Sequence, residues 1–503
     1  MLSTTGRRAG SLAAGVAAAM LVTGCTASSG SQGDGSAAGG TLRAAFSGGT
    51  TETLNYLRGP TSLDYVRARL VHAPLCELDP ASPDGVSYGV VESIEVADDL
   101  SKYTLRVRDG VRFTDGSELT SRDVLYSLRA PAELKGLPFA LLAARSFDLD
   151  AASAPDASTV VLPALSPVAD GRELICQSML AIKDGTKEFT PKTPSSGPFT
   201  IAAFEPGRTT LLERNPGYYG TAPSLKAIEL LSIPDGTARA NALRQGQVDF
   251  AGGFAPTQAQ TLGKADGITV TASELPYASY LQFTMNAEAE PFDDPRVREA
   301  FRLAVNRKRI VDNVYYGRAF VGNDLPALGF PSYGKAIEQR PHDPARARRL
   351  LADAGADGTS VELTAGPELP GMVETATLIV EDLKAIGVKA RLRELPAGQL
   401  FADHAAYLKL PFRAGYNPPA MFEPNHVPGT FPKADALVKT ARSASTAEKR
   451  LAASHQAQRV LWEQGNQIGA VFVPTISAAR DGVSGVRELQ FPDLSKATVT
   501  GRK

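Results

Sequence analysis

Leu105-Arg106-Val107-Arg108-Asp109-Gly110-Val111-Arg112-Phe113-Thr114-Asp115-Gly116, running on to Ser121-Arg122-Asp123-Val124, is the stretch that decides how this chain is read. Over residues 102–108 the side chains alternate, with Tyr103, Leu105 and Val107 on one face and Thr104, Arg106 and Arg108 on the other. That is the period of a half-buried strand. Asp109-Gly110 is a hairpin signal, so Val111-Arg112-Phe113 is expected to return as the partner strand. Asp115-Gly116 makes a second turn, and both glycines suit turn positions that ask for φ > 0. Thr120 and Asp123 stand at capping-box spacing ahead of Val124, Leu125 and Leu128, which predicts a helix from that point.

Outward from this stretch the chain keeps alternating strand and helix. Asp294-Pro295 and Asp343-Pro344 each read as an N-cap followed by proline at the first helical position. Val297, Phe301, Ala304 and Val305 share a face in the first helix. Leu350, Leu351 and Ala354 do so in the second, with Gly355 as its stop. A third helix is expected over 372–386, ended by Gly387, and a strand over 388–395. Ser445 and Glu448 can cap a long helix that runs through Trp462, a core residue by its amphipathic setting, to Gly465. An apolar strand over 468–473 follows. Hairpins early and alternating helices and strands late predict an α/β protein in separate lobes. There is no internal repeat or coiled-coil pattern.

The quoted stretch, together with three others, resembles the extracellular solute-binding proteins of family 5, the oligopeptide-, dipeptide- and nickel-binding group. The second stretch is Ser196-Gly197-Pro198-Phe199 with Arg214-Asn215-Pro216-Gly217-Tyr218-Tyr219. The third is Ile233-Pro234-Asp235 with Ala242-Leu243-Arg244-Gln245-Gly246-Gln247-Val248-Asp249. The fourth is Phe283-Thr284-Met285-Asn286 with Pro295-Arg296-Val297-Arg298-Glu299-Ala300-Phe301 and Asn306-Arg307. Their order and spacing extend from about Thr41 to Val473. The resemblance implies a periplasmic-binding-protein-like fold of type II, two lobes closing about a hinge on a ligand. It implies a first lobe made of 41–57, 194–273 and 475–503, a subdomain inserted into it over 58–193, and a second lobe over 274–474. The implied function is capture of a peptide or peptide-like solute for the permease and ATPase subunits of an ABC importer. A nickel chelate or an oligosaccharide is the alternative ligand.

The N-terminus agrees with export. Arg7 and Arg8 precede an uncharged run from Ser11 to Val22, far short of the roughly 20 residues that span a bilayer but right for a signal-peptide core. Val22-Thr23-Gly24-Cys25 is similar to a lipobox, so residues 1–24 are expected to be removed and Cys25 to be lipidated. Residues 25–40 then form a flexible tether of Gly, Ser, Ala, Thr and Gln with one Asp. The expected location is the extracytoplasmic face of the cell membrane, with the anchor as the membrane partner. Loss of Arg7 and Arg8 takes the net charge from −1 to −3, which argues against a nucleic-acid partner. The reading carries no cofactor and a monomeric chain.

Few residues point to chemistry. The five histidines, at 72, 342, 404, 426 and 455, are scattered, and no nucleophile elbow, metalloprotease helix or Walker loop is present. A hydrolase is therefore the weaker class. Cys76 and Cys176 can pair in an oxidising compartment or stay as two buried thiols. The implied subdomain brings them near its two ends, where a bridge would close a loop of about 100 residues. For the ligand, the loop Gly49, Thr50, Thr51 and Glu52 resembles the pocket edge of the first lobe, where backbone N–H groups can bind oxygen atoms. Tyr280, Phe283 and Asn286 lie on the strand entering the second lobe, and alternation allows at most one of the two aromatics to face the cleft. Peptide-binding members carry a late Asp-Tyr-Asn-Glu-Pro segment whose Asp pairs with the ligand's ammonium group. The matching stretch here begins Gly415, Tyr416, Asn417, so the acid is missing, and Glu52 and Glu423 are the replacements to consider.

Overall fold

The structure is a computed structural model of the chain and describes residues 39–58, 61–134, 146–177, 179–419 and 429–500. The chain opens on β1 (Thr41–Phe46) and α1 (Ser62–Val71). It then makes the short pair β2 (Cys76–Leu78) and β3 (Val86–Tyr88). Next come β4 (Val91–Val96), β5 (Lys102–Val107), α2 (Ser121–Glu133), β6 (Ser153–Asp156) and β7 (Thr159–Pro163). These strands form an antiparallel sheet in the order β4-β5-β7-β6. Tyr103, Leu105 and Val107 all point into its core, as the alternation requires.

The helix over 121–133 starts at the expected pair, with Asp123 Oδ2 accepting from Thr120 N–H at 2.7 Å and from the Thr120 hydroxyl at 3.0 Å. The hairpin at Asp109-Gly110 does not form. Gly110 takes a φ of 76°, so the turn is real, but both edges of β5 are already occupied by β4 and β7. Residues 111–113 instead fold onto their own continuation, through Leu119 N–H to Val111 C=O and Phe113 N–H to Ser117 C=O, both 2.9 Å.

After α3 (Gly171–Cys176) the chain lays down β8 (Phe199–Glu205), β9 (Thr209–Arg214), β10 (Ala227–Ser232), α4 (Gly236–Arg244), β11 (Phe250–Gly252), α5 (Pro256–Leu262) and β12 (Ile268–Ala272). A second large sheet follows, built from β13 (Ser279–Met285), β14 (Phe320–Val321), β15 (Ser360–Ala365), β16 (Lys389–Glu394), β17 (Phe412–Asn417) and β18 (Gln467–Val473). Its order is β14-β18-β13-β17-β15-β16. The chain then crosses back with β19 (Ile476–Arg480), which completes the first large sheet, β12-β19-β11-β1-β10-β9-β8. In that sheet β1 is parallel to β10 and β11. It is buried on both faces, Leu42, Ala44 and Phe46 in one core and Ala45 in another, as a central parallel strand must be.

Helices α6 (Pro295–Ala304), α7 (Arg307–Val314), α8 (Pro344–Asp353) and α9 (Met372–Ala385) pack their apolar stripes on the second sheet around Phe283, Phe301, Leu363 and Phe412. Asp294 and Asp343 cap α6 and α8 as expected. Short α10 (His404–Lys409) precedes β17, and α11 (Pro432–Arg442) forms a hairpin with α12 (Ala447–Gln464). The cap of α12 is Thr446 rather than Ser445, its hydroxyl accepting from Lys449 N–H at 3.2 Å. Trp462 is half-buried, with the Arg340 guanidinium 4.1 Å above its ring.

Two links join the large sheets. One runs from Ala272 to Ser279; the other is only Pro474 and Thr475. They are tied to each other by Ser273 N–H to Thr475 C=O at 2.9 Å and Thr475 N–H to Ser273 Oγ at 3.0 Å. Cys76 and Cys176 form a disulfide, their Cα atoms 4.7 Å apart. Among the described residues no helix is long and apolar enough to cross a membrane.

Candidate functional site

The links decide which edges face each other. Gly252, at the C-terminal end of β11, pairs with Ser477, and Ala272 pairs with Ile476. The parallel strands of the first sheet therefore end on the side from which both links leave, and that is where α/β sheets of this type take ligands. The loop 47–52 follows β1 on this edge. In the second sheet Ser279 pairs with Val473 and Tyr280 with Asn417, so β17 ends toward the same gap. Gly49–Glu52 and Gly415–Asn417 are thus brought to opposing edges. Asn286 is not: it follows the far end of β13, about 20 Å of strand away. There its side chain accepts from Glu288 N–H in a turn.

At the first edge the charged side chains are satisfied from within. Glu52 is buried and pairs with Arg67 at 2.5 Å, while its other oxygen accepts from Gly49 N–H at 2.9 Å. Arg67 also holds Asp64 at 3.0 Å and Thr210 Oγ1 at 2.9 Å. A Cβ at Gly48 would lie 2.2 Å from Glu52 Oε1, so the glycine is what lets this carboxylate fold back. Glu52 is accordingly a loop lock that shares the Arg67 cation with Asp64. Thr50 and Thr51 remain exposed, and Gly49 has open space above it.

The second edge is the reverse. Phe283 is fully buried in the sheet's main core and Tyr280 in a side cluster, its ring 4.9 Å from that of Phe472. Alternation does place them on opposite faces, but packing accounts for both, and neither offers surface to a solute. On the same face as Tyr280 lie Asn417 opposite it, then Gln282 opposite Gly415, and farther along Arg413 opposite Thr284. Tyr280 Oη, Gln282 Oε1, Arg413 Nε and Asn417 Nδ2 are buried, and none has a hydrogen-bond partner among the described residues. Each such unmade bond costs about 1–3 kcal/mol. Burial pushes the Tyr280 hydroxyl well up, so it stays a neutral donor. Apart from Tyr280, the row holds one buried acceptor, on Gln282, and buried donors on Arg413 and Asn417.

Gly415 has an ordinary strand conformation. What its missing side chain makes room for is Tyr407 of α10, whose hydroxyl would lie 2.5 Å from a Cβ there and donates to Ala414 C=O at 3.1 Å. Tyr416 points to the other face and packs on the core beside Phe401, 5.9 Å between rings. Burial, then the charge of Glu368, pushes its hydroxyl up.

Glu368 is a residue that sequence reasoning did not pick out. One oxygen accepts from Leu400 N–H at 3.1 Å, and the other is buried with no partner among the described residues. Its only local signal is an acid inside a Gly- and Pro-rich turn, Gly366 to Gly371, after β15. Among the described residues no group of His, Cys, Asp or Glu could hold a metal ion. Cys25 and Glu423 lie outside the described residues.

Comparison with known proteins places this geometry. A family model described as bacterial extracellular solute-binding proteins, family 5 (middle), matches residues 85–430. The glutathione-binding proteins of Salmonella typhimurium and Escherichia coli K12 are 28% identical to the chain over 324 and 330 residues. The alignment spans 62% of this chain and 62% of those relatives. Among solved structures, a binding protein from Listeria monocytogenes superposes with a TM-score of 0.77 at 18% identity, covering 92% of this chain and all of that one. A Helicobacter pylori protein in complex with the peptide STSA gives 0.73 at 18%, covering 92% and 98%. A Bacillus subtilis oligopeptide-binding protein with a nonapeptide gives 0.74 at 20%, covering 92% and 99%. At these identities the structures speak for the fold alone.

Proposed function

The chain belongs to the family 5 bacterial extracellular solute-binding proteins, and on that premise we propose that it captures a peptide or peptide-like solute between its lobes and delivers it to an ABC-type importer. The observation that carries the ligand class is the row of unsatisfied groups on Gln282, Arg413 and Asn417 beside β17. An extended backbone presents alternating C=O and N–H groups at the spacing such a row can meet, whatever its side chains. Glutathione, named for the similar proteins, is itself a short peptide and belongs to the same class. Binding at this site is not catalysis, and the residues assembled here include no nucleophile with an adjacent base.

The free amino terminus of such a ligand contributes little in this reading. Gly415 brings no carboxylate, and Glu52 is already paired with Arg67. Upstream, Cys25 carries the lipid that holds the protein at the outer face of the membrane, with residues 26–40 as its tether. Buried acyl CH₂ groups supply about 0.8 kcal/mol each to that anchoring.

Mass spectrometry of whatever co-purifies with the mature protein, followed by calorimetry with the compound found, tests the proposal. A peptide or peptide conjugate is expected, with saturable binding and a higher melting temperature. At 100 times the dissociation constant the gain is about 2.7 kcal/mol. A bound sugar or metal chelate would overturn the ligand class. For the anchor, intact-mass analysis is expected to show a diacylated chain starting at Cys25 and an unprocessed precursor for Cys25→Ala. A mature protein starting elsewhere without acyl groups would sink that part.

A further inference from the structure

Helix α3 belongs to the part of the chain inserted between β1 and β8, yet it touches the second large sheet's helices. Glu173 on α3 pairs with Arg450 of α12 at 3.0 Å, with 8% and 19% of the two side chains exposed. Beside it, Ala169 N–H donates to the C=O of Arg442, the last residue of α11, at 2.7 Å. Asp170, at the N-terminal end of α3, is buried and makes no capping bond with its side chain. Just past the other end of α3, Gln177 Nε2 lies 3.5 Å from the C=O of Pro419, in the segment after β17.

The electrostatics of α3 are incomplete without its neighbour. Burial pushes the carboxyls of both Asp170 and Glu173 up, and the opposing influences are Arg442 and Arg450 for Asp170 and Arg450 for Glu173. Both cations stand on the far side of the gap. Arg172, the cation on α3 itself, is turned away, its Nε donating to Ile94 C=O at 3.1 Å. A cavity of about 380 Å³ lies beside the pair, with Asp84, Asp98 and Arg172 in its walls. Meanwhile Cys176, the final residue of α3, is bonded to Cys76 at the start of β2, so the helix cannot drift from the insert that carries it.

We propose that α3 and the α11–α12 turn form an ionic clasp, set apart from the solute groups on β17, that draws the two lobes together before any solute binds, and that the Cys76–Cys176 bond holds its acidic half in place. The cost of parting the lobes is then the loss of compensation for two buried acids, a kind of charge pairing whose disruption is felt strongly. Solute affinity would depend on this clasp without any contact between the two, because a ligand that needs the closed state binds more tightly when that state is already populated.

The test uses the ligand-free mature protein and needs no knowledge of the solute, so it stands or falls apart from the proposed function. Small-angle scattering is compared for the unaltered chain, Glu173→Arg, Arg450→Glu and the exchanged pair Glu173→Arg/Arg450→Glu. Each single reversal sets like charges against one another and is expected to shift the profile toward larger dimensions, with the closed-to-open ratio falling by about fivefold or more. The exchanged pair should recover most of that shift. Reduction of the disulfide in the unaltered protein should expand it as well, and far-UV circular dichroism establishes that each sample is folded. Single reversals that leave the profile unchanged, or an exchanged pair no more compact than the worse single, would overturn the clasp. If the reversed chains do not fold, reduction decides: a profile indifferent to it overturns the role of the disulfide and the clasp with it.

Discussion

The two edges that face each other across the links have settled their polar groups in opposite ways. At the first, Glu52, Asp64, Arg67, Thr210 and the backbone of Gly49 satisfy one another in a closed set. At the second, Gln282, Arg413 and Asn417 bury atoms that nothing among the described residues satisfies. A closed set fixes a loop and gains nothing from a newcomer. An open set is held in place by the sheet around it and gains hydrogen bonds when one arrives. Substitutions at the first edge should therefore register as stability, and at the second as affinity.

The largest effect is expected from Arg67→Met. It leaves Glu52 and Asp64 buried without their shared cation, and breaking a buried pair in this way costs about 3–5 kcal/mol. The denaturant midpoint should fall with an unchanged slope. A loss below about 1 kcal/mol would mean that the first edge is not closed in solution.

Next is the insert that adjoins this edge. Cys76→Ser/Cys176→Ser releases a loop of about 100 residues, for which about 2–4 kcal/mol is typical. Mass analysis of the unfolded, unreduced protein should meanwhile find no free thiol at either position.

At the second edge, Gln282→Leu removes an unsatisfied oxygen and keeps the volume, so stability should hold or rise, by up to about 1–3 kcal/mol. Affinity for the identified solute should fall by about tenfold, one lost hydrogen bond of about 1.4 kcal/mol. If stability drops and affinity holds, the contrast between the edges is reversed.

How much of this contrast was readable in the sequence follows from the range of the interactions. The capping box at Thr120 and Asp123 and the Asp-Pro starts of α6 and α8 involve neighbours three residues apart, so local pattern sufficed. The choice between Ser445 and Thr446 as cap was not readable, since adjacent hydroxyls offer the same chemistry. The Asp109-Gly110 turn was legible, but its hairpin was not, because β7, more than 50 residues later, takes the edge that a local partner would need. At the candidate site, Gly49–Glu52 and Gly415–Asn417 were suggested by likeness to family motifs. That Glu52 is locked and Asn286 remote depends on Arg67 and on the direction of β13. Gln282 and Glu368 stand out by atoms that no described residue reaches, and an absent partner leaves no mark in a sequence.

The smallest effect is the most discriminating. An N-acetylated ligand should bind within about threefold of its free-amine form, a difference under about 0.7 kcal/mol, as judged by calorimetry on a matched pair. If acetylation abolishes binding, Glu368→Gln identifies whether the unpartnered oxygen there has taken the ammonium group. Installing an acid by Gly415→Asp should cost about 1–3 kcal/mol through crowding against Tyr407, and less in a Tyr407→Phe background, where the hydroxyl is gone.

The links between the large sheets have a mechanical consequence. Two residues, Pro474 and Thr475, are too few to let one sheet slide along the other, and the longer link is laced to them at Ser273. The pair behaves as one strap rather than two independent tethers, and a strap of that width bends easily only across its own line. Opening is then a swing about an axle at Ser273 and Thr475. A pair of spin labels set across the gap would part in proportion to its distance from that axle, so one pair beside the strap and one remote from it would tell a swing from a slide.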